Sequence, residues 1–147
     1  MYGNGSHRAI TQYEQVGVAA QVSGASPHQM IQMMLDGAVA RVAAARGAIE
    51  AGETARKGEL IGKAIGLVEG LRVSLDTAGG GEIAENLLAL YDYMGRRLLA
   101  ANLHNDIGIL DEVASLLREL QTGWRELGQV IAGGAVPGTG ISAAAAR

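Results

Sequence analysis

The sequence predicts an all-α fold, an antiparallel up-and-down four-helix bundle with a short N-terminal helical or extended segment. Three observations carry that expectation. Apolar residues recur at alternating spacings of three and four through four long segments. The core must be filled by Leu, Ile, Val, Met and Ala, because the 147 residues include no Phe and one Trp, and only two Pro interrupt the chain. Short turns join the segments, and a few residues cannot carry the chain back along a helix about 33 Å long, so neighbours in sequence must run antiparallel.

Residues 1–25 read as a mobile N-terminal segment able to cap the bundle. Ile10 and Tyr13, three positions apart, would share one face of a short helix there. The bundle itself is expected over 26–132. Its first helix opens at Ser26-Pro27, a capping hydroxyl followed by a residue whose missing N–H costs nothing at the first helical position. Its stripe is Ile31, Leu35, Ala38, Val42, Ala45 and Ile49, stopping near Gly52. Thr54 is the expected cap of the second helix, which carries Ile61, Ala64, Val68, Leu71 and Leu75 and ends before Gly79-Gly80-Gly81.

The third helix starts at Glu82, an acid that complements the positive end of the helix dipole. Its stripe is Ala84, Leu87, Tyr91, Met94, Leu98 and Ala101. Off that stripe, Asp92 and Arg96 have the spacing of a surface ion pair. The polar run His104-Asn105-Asp106 supplies a turn and a new cap, and the fourth helix follows with a strict heptad series: Leu110, Val113, Leu117, Leu120, Trp124, Leu127 and Ile131. Residues 133–147, mostly Gly, Ala, Ser and Thr, cannot bury enough surface to offset the entropy of ordering and read as a disordered tail.

Composition narrows the function. Apolar residues make up 48% and charged residues 18% of the chain, which fits one domain with a substantial core. A net charge of −3 provides no electrostatic footprint for nucleic acid, and no apolar run is long enough for direct membrane insertion. No basic-then-apolar leader opens the chain. Without Cys, a metal would fall to three scattered His, and none of His7, His28 and His104 has a Glu three residues before it, as a di-metal bundle site requires. Gly58 to Lys63 is one residue short of a phosphate loop and is followed by Ala64 instead of a hydroxyl. His28, in a first turn, reads as a partly exposed polar residue. No nucleophile, base and orienting acid can be assembled. The expectation is a non-enzyme without cofactor or metal.

What stands out is a surplus of apolar side chains beside the stripes: Met30 and Met33, then Leu60, Leu67 and Val73, then Ile83, Leu88 and Leu90, then Ile109, Leu116 and Val130. In globular helices such flanking positions often only widen the core stripe. Gly58, Gly62, Gly66 and Gly70 repeat every four residues, facing away from the second helix's stripe and leaving backbone that another helix can approach. Surplus and seam together suggest a groove that receives a partner helix.

Several stretches also carry a family resemblance. They are Ser23 to Ala38, which includes Ser26-Pro27-His28-Gln29 and Met33-Met34-Leu35-Asp36-Gly37; Lys57-Gly58-Glu59 with Lys63-Ala64-Ile65; Leu75-Asp76; and Gly81-Glu82-Ile83-Ala84. The strongest is Leu90-Tyr91-Asp92-Tyr93-Met94-Gly95-Arg96-Arg97 through Asn102, continuing into Asn105-Asp106, Leu110-Asp111-Glu112-Val113 and Trp124. Together they resemble the flagellin-specific flagellar export chaperones of the FliS family. The tail lies outside that pattern, and Gly66 and Gly70 are smaller than the family would place there.

The resemblance implies a bacterial cytosolic chaperone that binds the disordered C-terminal segment of flagellin, prevents premature polymerisation and delivers it to the export gate protein FlhA of the flagellar type III system. On that reading the flagellin-binding candidates are Leu60, Leu67, Val73, Ile83, Leu90, Ile109 and Leu116. Ile10 and Tyr13 fall at the family's apolar and aromatic positions for export-gate docking. The alternative is a non-enzymatic, self-associating helical scaffold, in which the same side chains pair with copies of the chain. A homodimer of the unloaded chaperone also stays open.

Overall fold

A computed structural model describes residues 24–75 and 79–133. It contains four helices, α1 (Pro27–Glu50), α2 (Thr54–Val73), α3 (Gly81–His104) and α4 (Ile107–Gly133), and no strand among the described residues. The expectations for the N-terminal segment, Ile10 and Tyr13 included, and for the tail beyond Gly133 lie outside the described residues.

Caps explain where the helices begin and end. Ser26 Oγ accepts the Gln29 N–H at 3.1 Å while Gln29 Oε1 accepts the Ser26 N–H at 2.7 Å, a reciprocal box that satisfies two donors at the start of α1. Gly52, at φ 72°, turns the chain after α1 in a conformation that side chains disfavour. Thr54 is the first residue of α2 rather than its cap, and Glu53 at the cap position makes no side-chain bond. Asn105 closes α3 in the left-handed region at φ 52°, and Asp106 Oδ1 accepts the Ile109 N–H at 3.1 Å to open α4.

Each helix packs on its two neighbours in a ring: α1 on α2 and α4, and α3 on α2 and α4. Cross-helix contacts set the antiparallel register. Between α1 and α4, Arg46 meets Asp111 at 2.9 Å and Asp36 meets Gln121 at 2.7 Å, while His28 meets Trp124, so numbers fall along one helix as they rise along the other. The α2–α3 seam is held by Arg72 Nε on Asp92 Oδ1 at 2.8 Å. Asp92 therefore reaches across to α2 instead of pairing with Arg96 on its own helix, as the spacing had suggested.

The stripes converge on one core, with Met34, Leu35, Val42, Ile61, Val68, Leu71, Met94, Leu98, Leu110, Val113 and Leu117 fully buried. Three expectations change at its edges. Leu67 and Ile109, read as lying outside the core stripe, are only 4% and 9% exposed and belong to the core cluster. Leu67 fits because Gly37 of α1 lies opposite it: a Cβ at Gly37 would come within 3.1 Å of Leu67 Cδ1. Ile109 joins Leu110 in the first turn of α4, where the apolar face is wider than a heptad seam. Gly66 and Gly70 are buried, whereas Gly58 and Gly62 stay partly exposed, so the glycine seam is not one open face. Ile131 is exposed despite completing the heptad series, because α4 runs on past the level where Pro27 starts α1.

Candidate functional site

The candidate site lies at one end of the bundle. A cavity of about 230 Å³ opens there between Ile31 and Leu35 of α1, Leu71, Ser74 and Leu75 of α2 and its exit, Leu87 and Tyr91 of α3, and Leu120 and Trp124 of α4. Leu75 reaches it from beyond the end of α2, which stops at Val73, two residues earlier than its stripe predicts. The walls are apolar, and their polar groups are largely committed. Ser74 Oγ donates to Leu71 O at 2.7 Å and Trp124 Nε1 donates to His28 O at 2.8 Å. Burial pushes the Tyr91 hydroxyl up to about 12, so it stays neutral. Such a site offers shape and dispersion contact to a neutral, apolar group and gives a charge nothing to pair with.

One wall has a specific construction. The imidazole of His28 stacks on the indole of Trp124 with centroids 4.5 Å apart and planes 5° from parallel. The same imidazole lies over Gly128, one helical turn beyond Trp124. A Cβ on Gly128 would fall 2.9 Å from His28 Cδ2 and closer still to Nε2. His28 is partly exposed, as the sequence presents it, and is also a ring contact between two packed helices that are distant in sequence.

None of the seven candidate contact residues lines this cavity. Leu60, Leu90 and Leu116 are half-buried against the core, Ile83 is half-buried and Val73 is exposed. Leu67 and Ile109 are core residues, as described above. Two exposed side chains lie outside those candidates: Leu99 and Leu103, 60% and 77% exposed one turn apart on α3. Their four-residue spacing was a legible signal, masked by the adjacent stripe residue Leu98. The cavity is not legible in a linear pattern, where stripe residues such as Leu87 and Trp124 look like sealed core.

Charge is arranged around the seams. Glu112 of α4 accepts from Tyr93 at 2.5 Å and from Arg97 Nε at 2.9 Å, tying α3 to α4. The Tyr93 hydroxyl first, and then the Arg97 guanidinium, hold the Glu112 carboxyl below its ordinary value. Asp36 gathers Gln32, Gln121 and Arg125 at the α1–α4 seam. Among the described residues no group of His, Asp and Glu has the arrangement of a metal site, and no helix is long and apolar enough to cross a membrane.

Comparison with known proteins places these features in a family. The family model described as flagellar protein FliS matches residues 9–130. The chain is 52% identical over 117 residues to the flagellar secretion chaperone FliSB of Pseudomonas aeruginosa, covering 80% of this chain and 93% of that protein. It is 47% identical over 119 residues to the flagellar secretion chaperone FliS of Salmonella typhimurium, covering 80% and 88% respectively. With the FliS of Bacillus subtilis the identity is 32% over 105 residues, 71% of this chain and 77% of that one.

Proposed function

This chain belongs to the FliS family, and from that premise we propose that it is a flagellar export chaperone of the bacterial cytosol. It binds the disordered C-terminal segment of flagellin, prevents premature polymerisation and delivers the client to FlhA at the type III export gate. It works by binding and masking, without catalysis or cofactor. The observation that carries this reading is the apolar cavity at the bundle end, with exposed Val73 in the chain between its lining residues Leu71 and Ser74. A subunit segment meant to pair only outside the cell must have its apolar face covered inside it. Covering one Leu or Val contributes roughly 1.5–3 kcal/mol before the ordering cost is subtracted, so several modest contacts hold a client that can still be released.

Within this proposal, Leu60, Val73, Ile83, Leu90 and Leu116 contact the client from the helix surfaces, and the end cavity takes one of its apolar side chains. Leu67 and Ile109 support that surface from the core. Ile10 and Tyr13 dock on the gate, and the N-terminal segment covers part of the groove until flagellin displaces it. Under this division Tyr13→Ala leaves flagellin binding largely intact while export falls; equal loss of both counts against it.

Size-exclusion chromatography with mass measurement tests the core claim. Mixed with a flagellin C-terminal peptide, the chain is expected to form a stable one-to-one complex. Self-association that the peptide leaves unchanged would instead support the scaffold alternative.

A further inference from the structure

We propose that His28 is a positioning residue for Trp124, and that together with Gly128 it holds the indole out of the end cavity so that the cavity stays open for a client. The inference rests on the reading of that cavity as part of the client site. Its own observations are the stack, the bond and the notch.

Trp124 stands between two environments. On one side is a cavity of about 230 Å³ with apolar walls, which no side chain of the described residues fills. Such a void attracts any large side chain at its rim, because filling it recovers dispersion contacts and buries apolar area. On the other side the indole is held back by three features. Its Nε1–H is bonded to the backbone carbonyl of His28 at 2.8 Å. Its face is covered by the imidazole at 4.5 Å. The imidazole keeps that place because residue 128 has no side chain, and any Cβ there would occupy its position. The absence of a side chain on α4 thus admits a ring from the first turn of α1, and that ring fixes a second side chain on α4. The width of the cavity becomes a property of the α1–α4 contact and not of α4 alone.

The geometry also supplies the probe, since Trp124 is the only Trp in the chain and its emission reports this one wall. His28→Ala removes the covering ring, and Gly128→Ala displaces it while leaving its chemistry intact. In both variants the indole is expected to turn inward: emission moves to shorter wavelength and quenching by acrylamide falls. The closed cavity then weakens binding of the cognate flagellin C-terminal peptide by about tenfold or more, the loss of one well-buried aliphatic contact. His28→Phe, which retains a ring in the notch, is expected to keep wild-type emission and affinity. Thermal unfolding of each variant verifies that the comparison is made on folded protein.

Wild-type emission in both Ala variants, or a shift to longer wavelength as the indole swings into water, overturns the proposal. So does wild-type peptide affinity in both Ala variants. If the wild-type chain itself binds no flagellin peptide, the client reading fails, and the emission measurements still decide what His28 does to Trp124.

Discussion

Lys57 and Asn105 are joined across the α2–α3 seam: the Lys57 ammonium donates to Asn105 Oδ1 at 2.7 Å and to Asn102 O at 2.9 Å, although the residue is only 6% exposed. A buried cation is tolerated when hydrogen-bonded acceptors replace water. Here the acceptors sit at the C-terminal end of α3, where the helix dipole is negative. Lys57→Ala removes the ammonium and leaves a backbone carbonyl without its partner, so it is expected to cost about 1.5–3 kcal/mol in urea unfolding. Asn105→Gly keeps the left-handed backbone and loses only the side-chain acceptor, and its cost should be smaller. An unfolding midpoint unmoved by Lys57→Ala would show that this contact contributes nothing net.

The burial of Leu67 separates support from contact. Leu67→Ala opens a hole over Gly37 and should destabilise the chain by about 2–4 kcal/mol. Val73→Ala, on exposed surface, should change stability by no more than about 0.5 kcal/mol and act instead on client affinity. Urea titration and peptide binding on the same two variants test this, and the reverse pattern would return Leu67 to the client surface.

Glu112 makes the α3–α4 seam sensitive to acid. Its carboxyl is held low by Tyr93 and Arg97, so its contribution is complete above the ordinary carboxylate pKa and disappears as pH falls through the lower folded value. Wild-type stability should therefore drop more steeply than that of Glu112→Gln below about pH 4. Parallel pH profiles for the two proteins would contradict this.

Tyr91 acts at the other extreme. Burial raises its pKa from 10.0 to about 12, so the folded state holds the phenolic proton more tightly than the unfolded chain. Its stabilising effect is complete below the unfolded value and is lost as pH rises toward the folded one. Between those values the wild-type chain should lose up to about 1.4 kcal/mol per pH unit relative to Tyr91→Phe. Unfolding difference profiles across that range provide the measurement, and a flat difference would rule the effect out.

Local rules determined much of this protein. Ser26 with Pro27, Gly52 and Asp106 set helix ends through bonds within a few residues, and the three-and-four spacing placed Met94, Leu98 and Leu117 in the core. The family was legible too, because its motifs are contiguous stretches of chain. Tertiary structure alone decided what lies opposite each stripe. Leu67 is buried because Gly37 leaves room for it, while Ile131, on a stronger pattern, is exposed because α4 outruns the start of α1. The end cavity and the His28–Trp124 stack depend on the relative lengths and register of helices distant in sequence. Periodicity records which way a side chain points from its own helix axis; whether it meets a partner, a void or water depends on the helix across from it.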